Sequence, residues 1–437
     1  TWTQTNPSVG LTSTTGSGAI NPFTTQNSTS LPLSSTISWT PIYSFNSVSC
    51  IGLPSVQQIV VNPIPTVLPI SDQTICHNNA TVPIAFLGTA SSYQWLNTNA
   101  TTGIPISGSG NIPSLFVQNG STSNPNISTI TATAIYTNNN LSCPGNTVNF
   151  SINVLPQTIL NPLSNQTLCN GDTSSLVVFT GTGTSYSWSN LQTSIGLGAN
   201  GVGSIPSFVA QNTGAAILSA SVVVTPIFTL NSISCPGTPA NITFAINPTP
   251  GLTTPLHQVL CANNQTNAVI FSGNATSYNW TNTNTSIGLP ANGQGNIGVF
   301  IGANTGLTPQ VATITIEPIF TGGSTACPGT TTSFTITVNP IPIIDTIANQ
   351  ALCANSNTQP VLFTGQPNGV FYEWTNSNSF IGLASSGTGN ILSFAAQNPS
   401  SSVNQIAQFT VTPALTNANL TCYGSPELFT ITVHPTP

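Results

Sequence analysis

The sequence predicts an all-β protein built as a tandem array of β-sandwich domains, and three observations lead there. One block recurs almost without gaps: "SYQWLNTNATTGIPISGSGNIPSLF" (92–116), "SYSWSNLQTSIGLGANGVGSIPSF" (185–208), "SYNWTNTNTSIGLPANGQGNIGVF" (277–300) and "FYEWTNSNSFIGLASSGTGNILSF" (371–394). Between the blocks, short alternating runs rich in β-branched residues are broken by Gly, Asn and Pro, as strands and turns are. The period, 92 to 94 residues between equivalent tryptophans, is too long for a solenoid unit and suits one sandwich per repeat.

Taken in order, the chain opens inside a partial copy, "WTQTNPSVGLTSTTGSGAINPF" (2–23), whose preceding strands are missing from residues 1–63. Full repeats follow at 64–155, 156–247, 248–339 and 340–437. The joints are Pro63-Ile64-Pro65, Pro248-Thr249-Pro250, Pro340-Ile341-Pro342 and Pro435-Thr436-Pro437, with a weaker one at Leu155-Pro156. Such joints are stiff, so an extended rod is expected, continued by further repeats of the same polypeptide on both sides. In the third repeat "SLVVFTG", "SYSWSN", "SIPSFVAQN", "AILSASVVVTPIF" and "NITFAINP" read as strands. Tyr186 and Trp188, two apart, share a strand face; the equivalent tryptophans Trp2, Trp95, Trp188, Trp280 and Trp374 are expected in the cores rather than on a sugar-stacking platform. Each copy also has Cys-x-Gly (Gly52, Gly145, Gly237, Gly329, Gly424), read as a hairpin turn needing positive φ.

One stretch suggests different chemistry. "GQGNIG" (293–298) spells the G-x-G-x-x-G of dinucleotide-binding turns, where glycines let a pyrophosphate reach a helix N-terminus. No helical stripe follows it, and its counterparts "GSGNIP", "GVGSIP" and "GTGNIL" lack the third glycine. A turn between strands is the expectation, and no cofactor is called for.

Composition narrows the partners. With 38% hydrophobic residues each repeat can bury a core, so the Ser, Thr and Asn content does not imply disorder. There is no Lys or Arg, against six acids, so nothing cationic can meet a phosphate; neither nucleic acid nor anionic lipid is an expected partner. No apolar run is long enough for a membrane helix, and membrane insertion is not expected.

The cysteines keep the same beat: Cys76, Cys169, Cys261 and Cys353 in one series, Cys50, Cys143, Cys235, Cys327 and Cys422 in the other. None is spaced C-x-x-C, so disulfides and an oxidising, extracellular setting are expected rather than metal. Pairing within each repeat gives 76–143, 169–235, 261–327 and 353–422, leaves Cys50 unpaired, and would stabilise each domain by about 4 kcal/mol on a chain-entropy basis. Bridges from one repeat to the next, 76–235, 169–327 and 261–422, are the alternative, since the two cysteines of one sandwich can fall at opposite ends.

The Cys-x-Asn/Gly stretch, Y-x-W, "IGLxAxGxGxIxxF", C-x-G and the closing "NPxP" together resemble the PKD-like repeats of giant cell-surface proteins in gliding, type IX-secreting bacteria. The resemblance covers essentially the whole chain. It implies Ig-like sandwiches in long arrays, secreted and surface-attached, in adhesins or gliding-associated filaments. The acidic turn of ordinary PKD domains after Y-x-W is absent. Such bacteria also O-glycosylate Asp-Ser/Thr-apolar sites, which Asp345-Thr346-Ile347 matches, making Thr346 a candidate.

A catalytic set is not expected. His77, His257 and His434 fall at different places in their repeats, and Asp72, Asp172, Glu317, Asp345, Glu373 and Glu427 are spread along the chain, so no acid–base or nucleophile group converges. Calcium sites gather carboxylates, and these do not gather. The expected function is therefore a non-catalytic structural array, the stalk or fibre body of an adhesin or gliding filament, able to assemble laterally. The alternatives are an array of modules that bind glycans or another surface, and the spacer of a secreted enzyme.

Overall fold

The computed structural model of the protein describes residues 1–436; Pro437, in the last Pro-x-Pro joint, lies outside the described residues. In the third repeat six strands form one sheet: a leading strand (Gln166–Cys169), a tryptophan strand (Ser185–Asn190), a short edge strand (Asn200–Val202), a long strand (Leu218–Leu230), a hairpin return (Ile233–Pro236) and a closing strand (Ala240–Asn247). Across the sheet the order is leading, closing, long, tryptophan, edge, and the hairpin return pairs with the far end of the long strand. The leading strand runs parallel to the closing strand, with Cys169 beside Asn247; the other pairs are antiparallel. Extended segments face this sheet, held by single bridges between Leu160 and Gly181, Thr173 and Val209, and Val177 and Ile205. Two such layers around one core make an Ig-like sandwich.

The fourth and fifth repeats have the same strand order. In the second, hairpin return and closing strand run together as Leu141–Leu155, with a register break between Thr133 and Ile135. The first repeat has tryptophan, edge, long and closing strands (Trp2–Gln4, Thr15–Gly16, Leu33–Trp39, Ser55–Val61), and among the described residues nothing lies beside its closing strand where a leading strand would pair. Ile37 and Trp39 of this repeat line an open groove with Ile20, Phe23 and Ile59.

Alternation along the strands builds the core. In "LSASVVVTPIFTL" Ala220, Val222 and Val224 point inward and are buried, meeting Ile242, Phe244 and Ile246 of the closing strand and Val177, Phe179 and Ile205 of the opposite layer. Each fully buried Val, Ile or Phe side chain contributes roughly 1.5–3 kcal/mol. Trp2, Trp95, Trp188, Trp280 and Trp374 are all buried, 6–7% exposed.

The tryptophans explain the G-x-G spelling. The edge strand pairs Gly201 with Trp188, and the indole lies so close over this glycine that a Cβ there would collide with its ring; Gly16, Gly108, Gly293 and Gly387 stand in the same relation to their own tryptophans. The second glycine turns the chain back with positive φ, 76° at Gly203 and 68° at Gly295, a conformation open to glycine without strain. Gly298, the third glycine of "GQGNIG", has open space around it. The motif is an indole seat followed by a left-handed turn.

Candidate functional site

The chemistry of this chain is concentrated where one repeat meets the next. Beyond Ile227 the long strand pairs only with its own hairpin return. The hairpin closes through Asn231 and Ser232, with φ of 50° and 65°, as a two-residue turn of the I′ kind requires. Asn139 and Asn140, and Ala418 and Asn419, close their hairpins in the same way. The Thr229 and Ser234 hydroxyls meet across the third-repeat hairpin at 2.9 Å.

The Cys-x-Gly glycines are not in this turn, which corrects the sequence reading. Gly52, Gly145, Gly237, Gly329 and Gly424 do not have positive φ. Four of them are needed because incoming chain crosses them: a Cβ at Gly145, Gly329 or Gly424 would strike the carbonyl oxygen of Pro65, Pro250 or Pro342, and one at Gly237 that of Thr158, whereas one at Gly52 would meet Pro41 of its own repeat. The three Pro-x-Pro joints ending at Pro65, Pro250 and Pro342 are thus laid against the base of the hairpin in the repeat each opens, with Pro248 and Pro250 buried and Thr249 outward.

The hairpin tip reaches the end of the preceding repeat. There the last residue of the closing strand meets the residue just before the turn. Asn339, fully buried, donates through Nδ2 to the Asn417 carbonyl at 3.2 Å, and Asn417 Nδ2 donates to Asn339 Oδ1 at 2.7 Å. Asn247, equally buried, donates to the carbonyls of Gly322 at 3.3 Å and Thr325 at 3.2 Å. Asn138 Nδ2 donates to Asn62 Oδ1 at 2.9 Å. Between the second and third repeats both positions are leucine, and Leu155 and Leu230 pack with Phe228, Cys76 and Cys235 in a small apolar cluster of their own. Partners therefore match in kind, amide to amide or backbone and leucine to leucine, although Asn247 Oδ1 itself is buried without a partner.

Covalent bonds close three of these joints: Cys76–Cys235, Cys169–Cys327 and Cys261–Cys422, with Cα–Cα distances of 5.5, 5.6 and 5.6 Å. The expected pairing within each repeat (76–143, 169–235, 261–327, 353–422) is overturned. Cys169 lies beside Asn247 at one end of the sheet, whereas Cys235 sits in the hairpin at the other. The intervening strand, rising about 3.3 Å per residue, keeps them on the order of 35–40 Å apart, against the 4.4–6.8 Å that a disulfide spans. Cys50, expected to be unpaired, is free, as are Cys143 and Cys353. Each bridge joins the leading-strand cysteine of one repeat to the hairpin cysteine of the next, and Cys50, Cys143 and Cys353 have no such partner among the described residues.

The remaining candidate residues have local roles. His257 Nδ1 accepts from the Thr335 backbone N–H at 2.9 Å, as Asn165 accepts from Thr243 and Asn349 from Thr430 in the neighbouring repeats; Asp72 accepts from Ser151 in the second. His77 accepts from Asn119 N–H as Asn170 does from Asn212. These histidines are interchangeable with amides as backbone acceptors. Among the described residues no three His, Cys, Asp or Glu side chains gather as metal ligands, and no helix is long and apolar enough to cross a membrane. Thr346 is exposed in an unpaired stretch after Ile343–Ile344. Sequence reading missed the joint residues Asn62, Asn247 and Asn339; the "N" of "NPxP", an amide at the last residue of a hydrophobic strand, was the available signal.

No protein-family model matches the sequence, and no curated protein matches it. Among solved structures, the protocadherin GammaB4 extracellular domain is 12% identical, with a TM-score of 0.32, covering 92% of this chain and 72% of its own. Drosophila N-cadherin domains EC1–4 are 10% identical, with a TM-score of 0.26, covering 84% of this chain and 100% of theirs. Sidekick-1 immunoglobulin domains 1–5 are 10% identical, with a TM-score of 0.25, covering 92% and 86%. Likenesses of this size say nothing of what this chain binds.

Proposed function

We propose that the chain is a non-catalytic structural region of a large extracellular protein, a stalk or fibre body that holds other parts away from a cell. One observation carries this reading: three successive joints are each closed by a disulfide and by a matched pair of residues at the hairpin tip. Domains with catalytic or independent binding roles have no need of such fastening, whereas a spacer that must keep its direction does. Disulfides at every complete joint support an oxidising location, and the resemblance to PKD-like repeats supports attachment to the surface of a gliding, type IX-secreting bacterium as an adhesin or filament component. Its partners are then further repeats of the same kind. A repeated glycan platform would need exposed aromatics at equivalent places; where the second repeat exposes Phe116, the others have Val209, Ile301 and Ala395. The exposed hydroxyl of Thr346 supports O-glycosylation there.

Small-angle scattering of the oxidised chain tests the stalk. Sandwiches of about 40 Å each, from strands rising about 3.3 Å per residue, should give a longest dimension on the order of 150–200 Å and a constant cross-section. A compact particle overturns the reading.

A further inference from the structure

We infer that the bridges and the strands between them form a covalent load path that shields the repeats from unfolding under tension, making the array an inextensible tether. This deepens the stalk reading and rests on it for its use at a cell, while its physics rests on disulfide connectivity.

Tension applied at the two ends follows the shortest covalent route. It runs along the backbone to Cys76, across to Cys235, along the backbone to Cys261, and across to Cys422. Residues 77–234 and 262–421 hang from this route as closed loops and cannot lengthen it. The 235–261 segment has about 26 residues and spans at most about 90 Å when fully drawn out. Most of it is already extended: the closing strand Ala240–Asn247, the Pro-x-Pro joint and the leading strand Gln258–Cys261 of the fourth repeat. Little slack remains.

The third bridge defines a second route, from the closing strand of the second repeat through Cys169–Cys327 to the closing strand of the fourth and the leading strand of the fifth. The two routes lie side by side. In the third repeat Gln166–Cys169 of the second route pairs with Phe244–Asn247 of the first; in the fourth, Gln258–Cys261 of the first pairs with Ile336–Asn339 of the second. These are the parallel pairs of otherwise antiparallel sheets. A strand that ends in a cysteine at the far end of its repeat must run the same way as the closing strand, which accounts for their direction.

Single-molecule stretching of the full chain, held at both ends, tests this. Without reductant the first repeat, outside the bridges, should give one step from about 60 residues, roughly 200 Å, and the other four should give none. With reductant they should add steps of about 300 Å each, one per repeat of about 92 residues. Two double variants separate load-bearing from plain stabilisation, since each removes one bridge. Cys76→Ser with Cys235→Ser should lengthen the non-reduced chain by about 450 Å, because the shortest route gains about 130 residues. Cys169→Ser with Cys327→Ser should leave the length unchanged. Whole-repeat steps in the non-reduced protein, or equal lengthening in both variants, would overturn the proposal. A compact particle in scattering would remove the stalk reading but leave the stretching record as it is, so the two failures are distinguishable.

Discussion

Asn339 and Asn417, 78 residues apart, hold each other reciprocally across a repeat boundary: the side chain of each is donor to the other residue, at 3.2 and 2.7 Å. The equivalent pair two boundaries back along the series, Leu155 and Leu230, does the same work with hydrocarbon. A single exchange, Asn339→Leu, should destabilise the fifth-repeat hairpin by about 1 kcal/mol, because the half-buried Asn417 loses the hydrogen bond its side chain donates. Adding Asn417→Leu should recover most of that loss. Hydrogen exchange of the amides in Leu420–Tyr423 reads both; a double variant no better than the single one would show that the match is incidental.

The indole seat gives a second expectation. Gly293→Ala puts a methyl group into the Trp280 ring, so the indole must leave its place, at a cost of roughly 1–3 kcal/mol. Gly298→Ala, at the third glycine of the same motif, adds a methyl to open space and should be neutral. Thermal melting followed by tryptophan fluorescence distinguishes them. Equal effects would put the motif back among ligand-binding turns.

Much of this was legible in sequence. The period, the sandwich and the buried tryptophans follow from alternation and spacing, because local pattern fixes which face of a strand is wet. The Cys-x-Gly glycine was legible as a constraint but not as to its cause, since close approach by a chain some 80 residues away leaves the same mark as a turn. Disulfide pairing was the main loss. Spacing along a repeat is identical for partners within it and partners one repeat on; only the placing of Cys169 beside Asn247 and of Cys235 beyond Ile227 separates them by the length of a sandwich.

The histidine at position 257 should tolerate His257→Asn with no measurable change in stability, because Asn165 and Asn349 fill the same acceptor role. His257→Ala should cost about 1 kcal/mol, the net value of one such hydrogen bond. Calorimetry of both variants checks this, and a large loss in the asparagine variant would point to a role for the imidazole that the geometry does not reveal.

Alkaline pH should loosen the fifth repeat. The Tyr372 phenol is held above its usual value near 10, first by burial and second by the Asp345 carboxylate. The folded state thus favours the neutral phenol. Its contribution is fully present below the unfolded value and is lost as the pH rises through the folded one. Melting of the fifth repeat should therefore fall above about pH 10, and Tyr372→Phe should flatten that fall. An unchanged alkaline slope in the variant would assign the loss elsewhere.

The pairing of the cysteines can be settled by counting. Bridges within repeats would leave one thiol, Cys50; bridges between repeats leave three, Cys50, Cys143 and Cys353. Titration of the unfolded, non-reduced chain with a thiol reagent should therefore find three. In the folded chain Cys50 and Cys353, both exposed, should react before Cys143, which is half-buried with Asn62 Nδ2 at 3.9 Å from its sulfur. The same connectivity bears on melting. Each bridge closes a loop of 158 to 161 residues that includes parts of two repeats, and chain entropy alone makes such a closure worth about 5 kcal/mol. Because successive loops overlap, unfolding of any of the second to fifth repeats relaxes a constraint shared with its neighbour. Calorimetry should show those four melting as one broad cooperative unit when oxidised, and at lower temperature as separate domains when reduced. A thiol count of one, with independent melting in both states, would return the bridges to the interior of each repeat.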